Sequence, residues 1–152
     1  MGARVIVASR SEAKRADATR MGAEVALDPD SEDLQAWMGQ VDLILDTILK
    51  PHNFNRWLPL LRRGGKLCLV GVPTDPLEIF PALIMFGDRA FEGSLIGGIA
   101  DTREMMEFAH SLGLGAEIEL IQPEEIQTAW HRLQEGDVQY RFVIDLESLG
   151  GD

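Results

Sequence analysis

Short runs of apolar, β-branched residues alternate along this chain with segments whose apolar positions recur at three-and-four spacing. That alternation is the signature of parallel strands joined by crossover helices, so the fold class is α/β. Arg4-Val5-Ile6-Val7-Ala8 reads as a buried strand at the very start, which fits a chain that begins inside a fold. An alanine-rich helix follows over Ser11 to Met21, with Gly22 where a helix end favours glycine, and Glu24 to Leu27 makes a second strand. Asp28-Pro29-Asp30 turns the chain, and Ser31 is placed to cap a helix with Glu32 and Asp33 in its first turn and Leu34, Trp37 and Met38 facing inward.

Val41 to Leu45 is a continuous β-rich run ending at Asp46, as expected of a strand covered on both faces. Phe54, Trp57, Leu58 and Leu61 then predict a helix closed by Gly64-Gly65, against which Pro59 argues for a kink or a late start. Lys66 to Val72 is the clearest strand, Pro73 to Phe86 a proline-punctuated apolar loop suited to covering something, and Phe91 to Ile96 a strand ended by Gly97-Gly98. Asp101 and Glu104 resemble a capping box ahead of a helix striped by Met105, Phe108, Ala109 and Leu112 and stopped by Gly113. Ile118 to Ile121 is a strand, Pro123 opens a helix carrying Ile126, Ala129, Trp130 and Leu133 up to Gly136, and Phe142 to Leu146 closes as a strand.

Composition narrows the function. The 152 residues, 45% of them hydrophobic, suffice for one buried core. A formal net charge of -11 repels phosphate backbones and anionic lipid surfaces, so neither nucleic acid nor membrane is an expected partner. No apolar run reaches the roughly 18 to 20 residues that span a bilayer, and a single cysteine, Cys68, suits a reducing cytoplasm. Its simplest role is a small apolar residue within a strand.

In open α/β sheets, ligands sit at the carboxyl ends of the strands. The groups to weigh are therefore Ser9-Arg10-Ser11, Asp46-Thr47-Ile48, Gly71-Val72-Pro73 and Gly97-Gly98. An NAD-preferring site typically places Asp or Glu after the second Rossmann strand to accept from the ribose 2′-hydroxyl. No acid stands there. Ser9, Arg10, Ser11 and, one turn on, Lys14 offer hydroxyls and cations that suit a 2′-phosphate, although Ser11 also suits a simple helix cap. Glycine after a strand equally makes an ordinary turn. His52, His110 and His131 share no metal-ligand spacing and read as surface residues, and no Gly-x-Ser-x-Gly elbow occurs. The acid pairs Glu32-Asp33 and Glu124-Glu125 open predicted helices, where the macrodipole accounts for them.

The matching segments, in order, are Gly2-Ala3-Arg4-Val5-Ile6-Val7, Ser9-Arg10-Ser11-Glu12-Ala13-Lys14-Arg15, Met21-Gly22-Ala23, Asp42-Leu43-Ile44-Leu45-Asp46-Thr47, Gly64-Gly65-Lys66-Leu67, Leu69-Val70-Gly71-Val72-Pro73, Gly93-Ser94-Leu95-Ile96-Gly97-Gly98 and Tyr140-Arg141-Phe142-Val143-Ile144-Asp145. In this order and spacing the chain resembles the C-terminal half of zinc-dependent medium-chain alcohol dehydrogenases, closest to the cinnamyl-alcohol-dehydrogenase-like branch. The resemblance implies a Rossmann-like parallel sheet with flanking helices that lacks the first strand and its Gly-x-Gly-x-x-Gly turn. It implies a partial dinucleotide-binding domain over residues 1–115 and a return segment over 116–152 that would pack on a catalytic domain.

The same resemblance assigns cofactor positions. Ser9, Arg10, Ser11 and Lys14 fall where NADP-linked members hold the 2′-phosphate, so NADP is expected rather than NAD. Thr47 and Ile48 line the adenosine and ribose side, Val70, Gly71 and Val72 border the nicotinamide, Ser94 and Ile96 match the carboxamide-binding segment, and Arg141 reaches the pyrophosphate. Strand 91–96 resembles an edge through which members form homodimers. Zinc belongs to the parent family, but no ligand set for it stands in this chain, and no catalytic residue is assigned. The missing first strand would be central in the usual order, so its loss separates the second strand from the fourth. The two halves then rejoin in a new pairing, or a partner chain fills the gap, or the sequence is one piece of a longer protein. The expected function is the cofactor-binding part of an NADP-dependent oxidoreductase acting on a primary alcohol or aldehyde, inactive alone. The alternatives are a truncated dimerisation or nucleotide-binding module and a silent structural remnant.

Overall fold

The computed structural model of the chain describes residues 1–147; residues 148–152, the end of the expected return segment, lie outside them. The chain groups into two compact units, Met1–Ile96 and Gly97–Asp152.

In the first unit β1 (Ile6–Ala8) pairs parallel with β2 (Val25–Leu27), in the register Ile6 to Val25. Helix α1 (Glu12–Arg20) connects them. Ser11 caps it, its hydroxyl accepting from the Lys14 N–H, and Gly22 takes a positive φ of 99° just past its end. The segment after β2 is a 3-10 helix, Glu32–Trp37, in place of the expected α-helix. Ser31 does not cap it: its hydroxyl donates to the Asp28 carbonyl at 2.9 Å. That local bond competes with the helix cap, a habit of serine beside turns. Leu34 is buried as predicted, whereas Met38 is exposed.

The second sheet has the order β3-β4-β5, all parallel: β3 (Val41–Asp46), β4 (Leu61–Leu69) and β5 (Ala90–Gly93). The predicted helix through Phe54 to Gly65 does not form. Two 3-10 turns, Phe54–Arg56 and Leu58–Leu60, replace it, and β4 starts at Leu61. Pro59 lies at the start of the second turn, where its missing N–H and fixed φ tolerate a helix start but no continuing helix. The periodic residues are nonetheless inward, for Phe54, Leu58 and Leu61 are all at most 1% exposed. Gly64 and Gly65 sit inside β4 rather than ending a helix. The pairing jumps from Val41 with Leu61 to Leu43 with Lys66, so Arg62 to Gly65 bulge out of the ladder. Gly64 needs its φ of 74° there, and a Cβ on Gly65 would lie 3.2 Å from the Asp42 carbonyl oxygen.

Ile44, Leu67 and Phe91 align on one face of this sheet. Phe54, Leu58, Leu61 and Leu67 form the core beneath it, with Ile79, Leu83 and Ile84 from the segment before β5. A neighbouring core of Leu27, Leu34 and Leu60 shares Val41, Ile44 and Trp57 with it and so binds β1-β2 to β3-β4-β5. Among the described residues the two sheets share no strand pairing, so the separated strands are not rejoined. The opposite face carries Leu43 and Leu45, 50% and 62% exposed, which corrects the expectation of a strand covered on both sides. Both 3-10 turns and the short helix α2 (Pro81–Met85) pack on the Leu67 face instead.

In the second unit α3 (Ile99–Ser111) starts one turn earlier than predicted, because the Asp101 carboxylate reaches back to the Gly98 N–H at 2.8 Å. Its striped residues Met105, Phe108 and Leu112 are exposed. Strand β6 (Glu119–Ile121) pairs parallel with β7 (Phe142–Ile144), joined by α4 (Ile126–Glu135), whose end at Gly136 has the left-handed φ of 74°. Ala129 of α4 and Ile121 of β6 are buried. Arg132 of α4 lies 4.9 Å from the centre of the Phe142 ring and pairs with Glu119 at 2.8 Å and Asp137 at 2.9 Å. A hydrogen bond from the Gln139 N–H, followed by the Arg132 guanidinium, holds the Glu119 carboxyl below the usual range.

Candidate functional site

The carboxyl end of β1 is built by an unassigned cation. Arg15, one turn into α1, donates from Nη1 to the carbonyls of Ser9 at 2.6 Å and Arg10 at 3.0 Å, and it approaches Asp28 at 3.3 Å. These carbonyls lie just past the strand end and pair with no strand, and one guanidinium, with its several N–H donors, satisfies both at once. The loop is further folded by the Ser11 N–H, which donates to the Ser9 hydroxyl at 3.2 Å. The oxygens of Ser9 and Ser11 thus accept from the backbone, while each hydroxyl proton stays able to donate. Lys14 is exposed and makes no ion pair among the described residues.

Arg10 is engaged. Its Nε donates to Asp30 at 2.8 Å, and Arg56 from the segment after β3 donates to the other oxygen of the same carboxylate at 2.8 Å and to the Pro29 carbonyl. Arg56 first and Arg10 second hold the Asp30 carboxyl below its ordinary range. Neither Asp30 nor Arg56 is marked by any sequence pattern, since the pairing spans 26 residues. An acid therefore does stand near the β1 end, contributed by the turn after β2 and bound to two arginines.

At the ends of β4 and β5 a cleft of about 320 Å³ is walled by Val70, Gly71, Val72 and Ser94, with Pro73, Leu77 and Leu95. Four of the predicted positions are brought together here. The loop of Pro73 to Phe80 forms part of that wall through Pro73 and Leu77. Asn55 holds the loop, donating to the Glu78 carbonyl at 3.0 Å and accepting from the Phe80 N–H at 2.7 Å. Ser94 is set by its N–H, which donates to the Leu69 carbonyl at 2.9 Å. Ile96 is 91% exposed and not among the cleft's walls. Arg141 lies in the second unit, exposed, immediately before β7, where its carbonyl accepts from the Glu119 N–H.

Thr47 and Ile48 follow β3 and are exposed, and the Ile48 N–H is held by Asp46. Gly71 is buried beneath their backbone. Asp46, 5% exposed, accepts the Ile48 N–H on Oδ1 at 2.9 Å, and its carbonyl accepts the N–H groups of Val70 and Gly71 at 2.8 and 2.9 Å. His52 completes the arrangement, with Nε2 2.6 Å from Asp46 Oδ2. His52 was expected at the surface; its side chain is only 14% exposed, whereas His110 and His131 are exposed. The ring of Phe54 beside it, 4.3 Å between centroids, accounts for the burial. Among the described residues no three His, Cys, Asp or Glu side chains gather closely enough to hold a metal ion, so the donor set does not fit a zinc.

The site thus has an apolar cleft able to seat a flat ring, backbone loops at the ends of β3 and β4, and hydroxyl and cationic donors at the end of β1. Those donor types fit a phosphorylated dinucleotide. No helix among the described residues is long and apolar enough to cross a membrane.

Comparison with known proteins identifies the family and the fold. A family model described as zinc-binding dehydrogenase matches residues 1–111. Alcohol dehydrogenase 9 of Catharanthus roseus is 45% identical over 148 residues, which cover 96% of this chain and 41% of that enzyme. Aldehyde reductase YahK of Escherichia coli is 41% identical, over 98% of this chain and 43% of that enzyme. Among solved structures, a cinnamyl alcohol dehydrogenase of Sorghum bicolor has a TM-score of 0.87 at 36% identity, covering 94% of this chain and 41% of that one. CAD from Helicobacter pylori, complexed with NADP(H), has a TM-score of 0.81 at 37% identity, covering 97% of this chain and 42% of that one. The chain spans about two fifths of the length of these relatives. With matching segments in order across nearly its whole length and a Rossmann-like fold in common with those structures, the chain belongs to the zinc-binding dehydrogenase family.

Proposed function

We propose that this chain is the cofactor-binding portion of an NADP-dependent alcohol dehydrogenase that moves hydride between a primary alcohol or aldehyde and nicotinamide. The observation that carries the reading is the end of β1, where Ser9, Arg10, Ser11 and Lys14 stand in place of the single acid an NAD site uses. The Helicobacter relative bound to NADP(H) supports it. When bound, the nicotinamide supplies the hydride acceptor or donor. The chain's own residues bind and orient. Lys14 and the hydroxyls of Ser9 and Ser11 donate to the 2′-phosphate, with Arg10 joining once it leaves Asp30. Thr47 and Ile48 line the ribose side, Val70, Gly71 and Val72 wall the nicotinamide and keep water from it, and Ser94 and Ile96 present backbone to the carboxamide. Residues 1–115 form the partial dinucleotide domain, and the return segment over 116–152 carries Arg141. Among the described residues none is assigned acid-base or zinc chemistry, and a cytoplasmic setting suits the lone thiol.

A second reading, a catalytically silent module that dimerises, draws on the position of β5 at the edge of its sheet with Leu95 and Ile96 exposed just beyond it. The two readings part on one experiment. NADPH and NADH are added separately and the melting temperature is followed: a rise with NADPH alone supports the cofactor role, and no rise with either supports the silent module. Replacing Arg10 and Lys14 by Glu should abolish the NADPH preference; its survival sinks the phosphate assignment.

A further inference from the structure

We propose that Asp46 and His52 are a positioning pair that fixes the Thr47–Ile48 backbone at the crevice mouth, and that a proton shared between them is what locks it. The inference rests on the nucleotide-binding reading for its ligand, though not for its geometry.

The argument starts from the two nitrogens of His52. Nε2 lies 2.6 Å from Asp46 Oδ2 and Nδ1 lies 3.0 Å from the Lys50 carbonyl oxygen. A carbonyl and an ionised carboxylate both only accept. A neutral imidazole has one N–H, so beside a carboxylate one of these contacts would set acceptor against acceptor. Both are satisfied when the pair holds one more proton, as imidazolium with carboxylate or as neutral imidazole with carboxylic acid. In either form the pair is electrically neutral, which suits two side chains with 14% and 4% of their surface exposed.

The pair sits where it can set loop geometry. Asp46 holds the Ile48 N–H on its second carboxylate oxygen and the N–H groups of Val70 and Gly71 on its carbonyl. The His52 ring is braced from the core side by Phe54, which packs edge-on to Phe91 of β5 at 5.4 Å. Chain positions 46 to 52 are thereby closed into a loop by one side-chain bond, with Thr47 and Ile48 at its exposed crown. Without the imidazole, Oδ2 of a buried carboxylate loses its partner and must turn toward water. Oδ1 then moves off the Ile48 N–H and the crown loosens. Every dinucleotide that uses the β3 end feels this, whether or not it carries a 2′-phosphate.

The test uses the whole chain and its His52→Ala and His52→Gln variants. Nitrogen NMR of the His52 ring in the wild type should give the signature of two protonated nitrogens, or of one with a strong bond to Asp46; a ring whose Nδ1 is unprotonated overturns the proposal. His52→Ala should weaken NADPH and NADH alike, by about tenfold, the size of one lost charge-assisted bond. His52→Gln, which keeps a donor toward Asp46, should recover part of that loss, whereas a residue that only fills space would show no such rescue. Wild-type affinity for both dinucleotides in a folded His52→Ala overturns the proposal. Should the wild type bind neither dinucleotide, the nucleotide reading falls, and the pair is decided by the ring signature and by hydrogen exchange. The Ile48 amide should then exchange about tenfold faster in His52→Ala, and an unchanged rate overturns the inference. Where His52→Ala does not fold, the wild-type ring signature and His52→Gln carry the same decision.

Discussion

A Cβ placed on Gly71 would lie 2.5 Å from the Ile48 carbonyl oxygen, with Thr47 backbone atoms almost as near. The glycine at the end of β4 is therefore required by the loop after β3, not by a turn or a positive φ. Gly71→Ala forces the two loops apart, and both belong to the proposed cofactor crevice. Overpacking of this kind costs about 1–3 kcal/mol. The expected outcome is a lower urea midpoint together with weaker NADPH binding; a variant with unchanged midpoint and affinity would mean the loops are not held at this separation.

The two faces of the β3-β4-β5 sheet make a second, sharper contrast. Leu67 is fully buried among Phe54, Leu58 and Leu61, while Leu45 on the opposite face is 62% exposed. Leu67→Ala should cost about 2–5 kcal/mol, the usual range for a core leucine. Leu45→Ala should stay within about 0.5 kcal/mol, as exposed substitutions do. Urea unfolding of the two variants reads the difference directly, and equal losses would show that the Leu45 face is covered in solution.

These contrasts also mark how far the residue pattern reaches. Period and turn chemistry locate six of the seven strands among the described residues within a few positions, because β-branched runs bounded by Gly, Pro and Asp say the same thing at every level. The helix through Phe54 failed for a physical reason. Its apolar spacing reports only that Phe54, Leu58 and Leu61 face inward, and two 3-10 turns with a strand start meet that condition once Pro59 rules out a helix. The strand-end rule points to Gly71, Val72 and Pro73, the family resemblance adds Val70 and Ser94, and these residues line one cleft, whereas Gly97 and Gly98 do not. What that rule could not reach was anything made by long-range pairing. Arg56 meets Asp30 across 26 residues, and His52 is buried only because Phe54 and Asp46 happen to enclose it. Asp46 is legible as a strand end, but no spacing in the sequence marks His52 as its partner.

Arg15 illustrates such a residue and is testable in its own right. Its guanidinium holds the Ser9 and Arg10 carbonyls while its own side chain is mostly covered. Arg15→Met keeps the packing of the stem and removes the donors. The expected result is weaker NADPH binding with an unchanged affinity for NADH, since the loop it shapes faces only the 2′-phosphate in the proposed site. About 1–2 kcal/mol, or roughly five- to thirtyfold, is the scale of the hydrogen bonds lost. Equal weakening of both dinucleotides, measured by fluorescence titration, would place Arg15 in general stability instead.

Asp30 bears on the same selectivity from the opposite side. Bonds from Arg56 and then Arg10 hold its carboxyl below the ordinary aspartate range. Because the folded value is the depressed one, the ion pairs contribute fully above the unfolded aspartate range and are lost as pH falls through the lower, folded value. Both partners are solvent-facing, so the gain in stability is small and salt-screened. The consequence for binding is larger, since Asp30 competes with an incoming phosphate for Arg10. Asp30→Asn removes a charge beside the site and frees the guanidinium, so NADPH should bind more tightly, by about threefold to tenfold, with NADH little changed. Carbon NMR titration should place Asp30 below the typical carboxyls of the chain, and Arg56→Ala should move it back up. If Asp30→Asn leaves the ratio of NADPH to NADH affinity where it was, Arg10 does not reach the phosphate, and the anion site must be carried by Lys14 and the two serines alone.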